Sequence, residues 1–227
     1  MTTNPVITLT NVSKTYYLGN EPVYALKNLT LAINEGEYLG ILGSSGCGKS
    51  TLMYLMGLLE TPSSGELTLN HHRVSNLTDD TLSQIRNLTV GFLFQAFNLI
   101  NKYTVLENIL LPARYCKTAL DFDPRHRALE LLHKFSLDHR QHFFPNKISG
   151  GEQQRVAIAR ALIMHPKIIL ADEPTGNLDT KTGDDIMDLL ESLGQEFGTT
   201  IVVVTHEPDV ARRTRRQIHM KDGQILS

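Results

Sequence analysis

Residues Gly43-Ser44-Ser45-Gly46-Cys47-Gly48-Lys49-Ser50 form a run of small residues that ends in a cation and a hydroxyl. Such a run can hold phosphate. Glycines let the backbone curl until successive N–H groups, and the start of a following helix, point at one anion. Lys49 would supply a point charge to the β- and γ-phosphates of a nucleotide, and the Ser50 hydroxyl is a ligand for Mg²⁺, with Thr51 beside it at the helix start. The spacing carries this meaning only between a strand and a helix. Both are predicted here, a strand over residues 38–42 and a helix over residues 49–59; a glycine-rich structural turn is the alternative.

Two further segments could act on the same phosphates. Ile168-Ile169-Leu170-Ala171-Asp172-Glu173 is an apolar strand ending in two carboxylates. Asp172 would hold Mg²⁺ through water, and Glu173 would polarise an attacking water as general base. Many strands end in acidic residues at the solvent boundary, so the pair gains its force from the phosphate loop. Lys147-Ile148-Ser149-Gly150-Gly151-Glu152-Gln153-Gln154-Arg155 places small residues at a helix start, a second anion-binding device in one chain. One nucleotide has no obvious need of two.

These residues need a scaffold that brings strand ends together. Apolar and β-branched runs recur at residues 6–9, 38–42, 90–94, 168–171 and 201–204, several with the look of strands buried on both faces. Helical patterns lie between them at residues 49–59, 123–135, 150–164 and 180–197, the second with Asp123 as N-cap and Pro124 at its first position. The alternation predicts an α/β fold. Short alternating segments at 6–12, 25–33 and 66–69, separated by turn signals, predict a small antiparallel sheet beside the nucleotide. Residues 96–155 carry helical periods without a convincing strand and are expected to form a helical subdomain. It would be inserted between residues 1–95 and 156–227, which make the nucleotide-binding core with its β subdomain.

Bulk properties narrow the setting. A formal net charge of -2 on 227 residues supplies no global field for nucleic acid or an acidic membrane, so no nucleic-acid partner is expected. Cys47 and Cys116 are too few for a disulfide framework and fit a reducing compartment. Neither the start Met1-Thr2-Thr3-Asn4-Pro5 nor any longer run reads as a leader or membrane span, so the expectation is a chain neither exported nor membrane-spanning. His71-His72 reads as a surface turn rather than a metal site, and Arg212-Arg213-Thr214-Arg215-Arg216 as a solvated face.

With its Ser-Gly-Gly core in place, the sequence resembles the ATP-binding-cassette (ABC) ATPases over nearly its whole length. The resemblance implies a phosphate-loop NTPase core of RecA-like type, with ATP and Mg²⁺ as ligands. It implies that Ser149, Gly150 and Gly151 close over the γ-phosphate held by a second copy, in an ATP-stabilised homodimer. Gln95 matches the glutamine that contacts Mg²⁺ and the attacking water and leads to the surface facing a membrane partner. Asp179, in Gly176-Asn177-Leu178-Asp179, matches the loop that crosses the dimer interface. His206 matches the switch histidine at the γ-phosphate, and Tyr16 the aromatic residue that stacks on adenine, with Tyr17 next door as the alternative. Lys49, Gln95, Glu173 and His206 are thus the expected catalytic set. Ile148 and Glu152 depart from the usual leucine and glutamine of the signature without removing an anion-binding group.

Within the family, Phe94-Gln95-Ala96-Phe97-Asn98-Leu99, Thr104-Val105-Leu106-Glu107-Asn108 and Ala171-Asp172-Glu173-Pro174-Thr175-Gly176-Asn177-Leu178-Asp179 are similar to the lipoprotein-release and macrolide-export subunits and to the related cell-division ATPase. That similarity implies an integral membrane permease as partner and a cytoplasmic, peripheral place on a bacterial inner membrane, touching lipid only through the partner. An ATPase that controls a cell-wall enzyme through its membrane partner is the alternative. Soluble repair or translation ATPases of this fold usually carry two cassettes or a coiled-coil insertion, and neither is present here. A degenerate scaffold is disfavoured by Lys49, Glu173 and His206 together.

Overall fold

The computed structural model describes residues 5–226. The N-terminal stretch Met1-Thr2-Thr3-Asn4, read above for the absence of a leader, lies outside the described residues.

The expected α/β class is observed, in two sheets. Strands β1 (Pro5–Leu18), β2 (Glu21–Asn34), β4 (Ser64–Leu69) and β5 (His72–Arg73) form an antiparallel sheet of order β2-β1-β4-β5. Strands β3 (Tyr38–Gly43), β6 (Val90–Leu93), β7 (Ile168–Asp172), β8 (Thr200–Thr205), β9 (Arg216–Lys221) and β10 (Gln224–Leu226) form a central sheet of order β10-β9-β3-β8-β7-β6. It is parallel throughout except for the β9–β10 hairpin.

The central strands show why apolar runs without alternation were to be expected. In β8, Val202 and Val204 face one apolar cluster while Ile201 and Val203 face another; β7 divides Ile168 and Leu170 from Ile169 and Ala171 in the same way. Each side of the sheet is covered over β3, β8, β7 and β6, so both faces of these four strands are buried. The first cluster is closed by the antiparallel sheet and by α1 (Lys49–Met56). The second is closed by α3 (Val105–Arg114), α4 (Pro124–Lys134), α5 (Gly150–Leu162) and α6 (Thr180–Phe197). Capping agrees with sequence. Thr104 and Glu107 cap α3 reciprocally, Asp123 caps α4 with Pro124 following, and Asp179 opens α6, which Gly198 closes in a left-handed conformation.

Several boundaries differ from those expected. β1 runs on to Leu18 because bulges, including Asn11 at φ 50°, absorb its irregular pattern. α1 ends at Met56, not at residue 59. There Gly57 packs so tightly that a Cβ on it would lie 2.2 Å from Phe92 Cζ. Helix α2 (Asp79–Thr89) and the hairpin β9–β10 were not anticipated. Of the arginine cluster, Arg212, Arg215 and Arg216 are exposed, as expected of a solvated face, while the partly buried Arg213 pairs with Asp184 and Asp188, and Arg216 also pairs with Glu37. α7 (Pro208–Arg212) ends at the first of them. No helix of the described residues is long and apolar enough to cross a membrane.

Candidate active site

β3, β6, β7 and β8 are parallel neighbours in one sheet, so their C-terminal ends open on the same side, where ligands of such sheets bind. A cleft of about 1130 Å³ lies there. Each strand end contributes to it: Gly43 to Thr51 after β3 apart from Cys47, Gln95 after β6, Asp172 and Glu173 at β7, and His206 after β8.

The phosphate loop is shaped by glycine. Gly48 adopts φ 104° as the N-cap of α1, and a Cβ there would lie 2.5 Å from the Ala25 carbonyl of β2. Gly46 is also left-handed, at φ 77°. Lys49 is only 8 % exposed. Its Nζ donates to the carbonyls of Gly43 (2.8 Å) and Ser44 (3.0 Å), which holds the ammonium across the loop. Cys47 turns its thiol into the core and contributes backbone only, its carbonyl accepting from Gly223 N–H at 3.0 Å.

Glu173 sits just past β7 with φ 46°, a conformation that costs a non-glycine residue energy and persists only where its surroundings hold it. They do so at three points. Its N–H donates to Val204 O at 2.9 Å. One carboxylate oxygen accepts from both the backbone N–H (3.1 Å) and the Nδ1 (2.6 Å) of His206, and the other from the Thr205 hydroxyl at 3.2 Å. An ionised carboxylate only accepts, so Nδ1 carries the proton.

The remaining expected residues do not line this cleft. Ser149 caps α5 in a reciprocal box with Glu152, and Gly151 packs against α6, where a Cβ would meet Thr182 Cγ2 at 2.6 Å. Gly150 lies beside Leu178. Asp179 spends its carboxylate on Thr182, accepting from N–H (3.1 Å) and hydroxyl (2.6 Å), which holds its carboxyl below the usual range. Tyr16 is likewise absent from the lining, with the Lys14 ammonium 5.1 Å over its ring, but its cross-strand partner Val23 is present. Such partners share a sheet face.

Residues 26–176 match the family model for ABC transporters. The chain belongs to the ABC transporter family. It is 50% identical over 223 residues to an uncharacterised ABC transporter ATP-binding protein, MJ0796, of Methanocaldococcus jannaschii, across 97% of this chain and 95% of that one. It is 48% identical over 221 residues to the macrolide export ATP-binding/permease protein MacB of Chlorobaculum tepidum, which takes in 97% of this chain and 34% of that longer protein. Two solved structures of MJ0796 superpose with a TM-score of 0.88 over 97% of both chains: a dimeric cassette at 49% identity, and a dimer in a post-hydrolysis state bound to ADP and Pi at 48%. This cassette is an ATPase with the phosphate-loop NTPase fold.

Electrostatics in the cassette follow from burial and from one charge pair. Burial foremost, with the charge of Glu173 adding to it, pushes the Asp172 carboxyl above the usual range against the pull of Lys49. The hydrogen bond to Glu173, then its charge, raises the His206 imidazole above its ordinary value. Ser50, Gln95 and Asp172 share the cleft, and a hydroxyl, an amide oxygen and a carboxylate are the hard oxygen donors that suit Mg²⁺. Sequence reasoning missed Tyr24 and Ala25 of β2, Pro208 and Arg212 of α7, and Gln217 and His219 of β9, all of which line the cleft. The strand pattern at residues 216–221 was the available signal: Ile218 and Met220 are buried while Gln217 and His219 are exposed.

Proposed function

We propose that two copies of the chain close around two ATP molecules, each bound by the phosphate loop of one copy and by Ser149 and Gly151 of the other. The observation that carries this reading is the separation within one chain of two anion-binding helix starts. Lys49 and Glu173 share the cleft, whereas the Ser149 loop does not line it. A second copy would bring the two together.

In that closed state Lys49 exchanges the Gly43 and Ser44 carbonyls for phosphate oxygens, and the loop N–H groups hold the β-phosphate. Water attacks the γ-phosphorus in line, the bond to the bridging oxygen of ADP breaks, and Glu173 takes the proton from water. His206 and Thr205 hold that carboxylate in place before the step. Ser50 and Asp172 with Gln95 would hold Mg²⁺, which would supply neutralising charge at the phosphates. Tyr16 stacks on the adenine, and Asp179 lies at the dimer interface.

The cassette would drive a separate integral permease, in lipoprotein or macrolide-type export, from the cytoplasmic face of a bacterial inner membrane. The MacB relatives support this, because their longer chains are named as ATP-binding protein and permease together. Residues 96–155 act as the helical subdomain that faces the partner. A groove of about 390 Å³ lies between α2, β6, α3 and α5, and we assign it to a cytoplasmic segment of the permease. Arg160 ties its wall to the segment after Gln95 through the carbonyls of Phe97 (2.8 Å) and Asn98 (2.6 Å).

ATPase rate against protein concentration, with the oligomeric state of Glu173→Gln in ATP followed by light scattering, tests the shared site. The expected result is a rate that rises faster than linearly and a dimer in the variant. A linear rate with a monomeric variant overturns it.

A further inference from the structure

Helix α5 begins at the Ser149 cap, and five residues later Gln154 is completely buried. Its Nε2 donates to the carbonyl of Pro174 at 2.6 Å, while its Oε1, also buried, has no hydrogen-bond partner among the described residues. A buried amide with one end unsatisfied is costly, and a leucine or methionine would fill similar volume without that penalty. An apolar side chain would in turn leave the buried Pro174 carbonyl unpaired, so the two choices come close in stability and the use of the bond lies in what it holds.

Pro174 immediately follows Glu173, and the turn they share leaves one carbonyl unused. Gly176 N–H donates to Glu173 O at 3.1 Å and Leu178 N–H to Thr175 O at 3.0 Å, so the carbonyl of Pro174 is left for Gln154. Proline has no N–H of its own, which makes that carbonyl the residue's only backbone hydrogen-bonding group. The far side of the turn is held by Asn177, whose Nδ2 donates to Gln95 O at 2.7 Å. Gln154 and Asn177 thus brace the turn from opposite ends, next to a carboxylate held at a left-handed φ.

We propose that Gln154 is a positioning residue for the ATPase reaction: it fixes Pro174 and through it the placement of the Glu173 carboxylate on Thr205 and His206. The proposal rests on the reading of Glu173 as the base. It also gives the signature helix two contacts of consequence. Ser149 and Gln154 lie about 7.5 Å apart along one rigid helix. Movement of the Ser149 end against the partner's nucleotide is therefore felt at the Glu173 turn of the same chain.

Gln154→Leu and Gln154→Met remove the donor while keeping bulk, and Gln154→Glu keeps the shape while replacing N–H with an acceptor. Each is expected to lower kcat by about tenfold to a hundredfold, the penalty of small misplacements in an active site, with the KM for ATP unchanged. The leucine and methionine variants lose the unpaired Oε1 but leave the buried Pro174 carbonyl without its donor, so their melting temperatures should stay close to the wild type. Wild-type kcat in a folded leucine or methionine variant overturns the proposal, as does a fall in kcat matched by a fall in melting temperature. Should leucine not fold, the methionine and glutamate variants carry the same comparison. Glu173→Gln beside them separates the two readings: if it turns over at the wild-type rate, the base assignment fails; if it is inactive while Gln154→Met is unimpaired, only the positioning role fails.

Discussion

His206 reaches Glu173 twice, through its backbone N–H and through its imidazole, and both bonds end on the same carboxylate oxygen. The residue after β8 therefore orients the residue after β7, and the second oxygen is steadied by Thr205. A carboxylate held by three donors is pre-set rather than searching, which is what a group that must take a proton from one particular water needs.

Replacing Glu173 by Gln keeps the shape and removes the base. Turnover should fall by about a hundredfold or more, within the range that general-base catalysis supplies, while ATP still binds. Steady-state ATPase and nucleotide binding measured on the same preparation check this, and an undiminished rate would refute the assignment.

The His206 imidazole should titrate above its ordinary value of about 6.5. The folded state favours the protonated ring, so its stabilising contribution is complete below the unfolded pKa and is lost as pH rises through the folded one. The side chain is 61% exposed, so the contribution to stability is small. Two-dimensional NMR of the ring should show the raised midpoint and its fall toward 6.5 in Glu173→Gln; a midpoint insensitive to that change would contradict the pairing.

Arg140 and the Ser149 N–H hold the Glu152 carboxylate at 2.7 and 2.8 Å. Burial opposes the charge, yet these bonds outweigh it and keep the carboxyl below its usual range. Arg140→Ala would leave a negative charge uncompensated beside a loop read as binding phosphate. ATPase should drop about threefold to tenfold, equivalent to about 0.7–1.4 kcal/mol, and Glu152→Gln in the same chain should restore it. Additive effects of the two substitutions would count against this account.

Gly91 of β6 lies against α5 so closely that a Cβ would stand 2.6 Å from the Ala161 carbonyl. Backbone cannot retreat as a flexible side chain can, so Gly91→Ala should destabilise by about 1–3 kcal/mol in urea unfolding. An unchanged midpoint would show that strand and helix can part without loss.

The phosphate loop and the carboxylate pair were legible because each is local. A few adjacent residues carry the glycine geometry, the cation and the acids, and flanking apolar runs announce the strands. β9 was hidden because Arg216 and Gln217 begin it with polar side chains, and α2 because Leu82 is its only buried large hydrophobic residue. His219 reaches the cleft through pairing with Leu42, 177 residues earlier, which no spacing along the chain reports. Gln154 was readable as part of a signature, but its tie to Pro174 spans 20 residues and exists only once α5 packs onto the sheet at β6.

The place of β3 between β9 and β8 has a consequence for the newborn chain. Ribosomes lengthen proteins from the N-terminus by about 5–20 residues each second, so roughly ten to thirty seconds separate the emergence of the phosphate loop from that of β9. Until β8 emerges, late in that interval, the strand beneath the loop has neither of its neighbours. A nucleotide therefore meets a phosphate loop whose sheet is not yet assembled. The capacity to grip it arrives with β8 and β9, and a cassette abandoned before them is left without a finished ATP site.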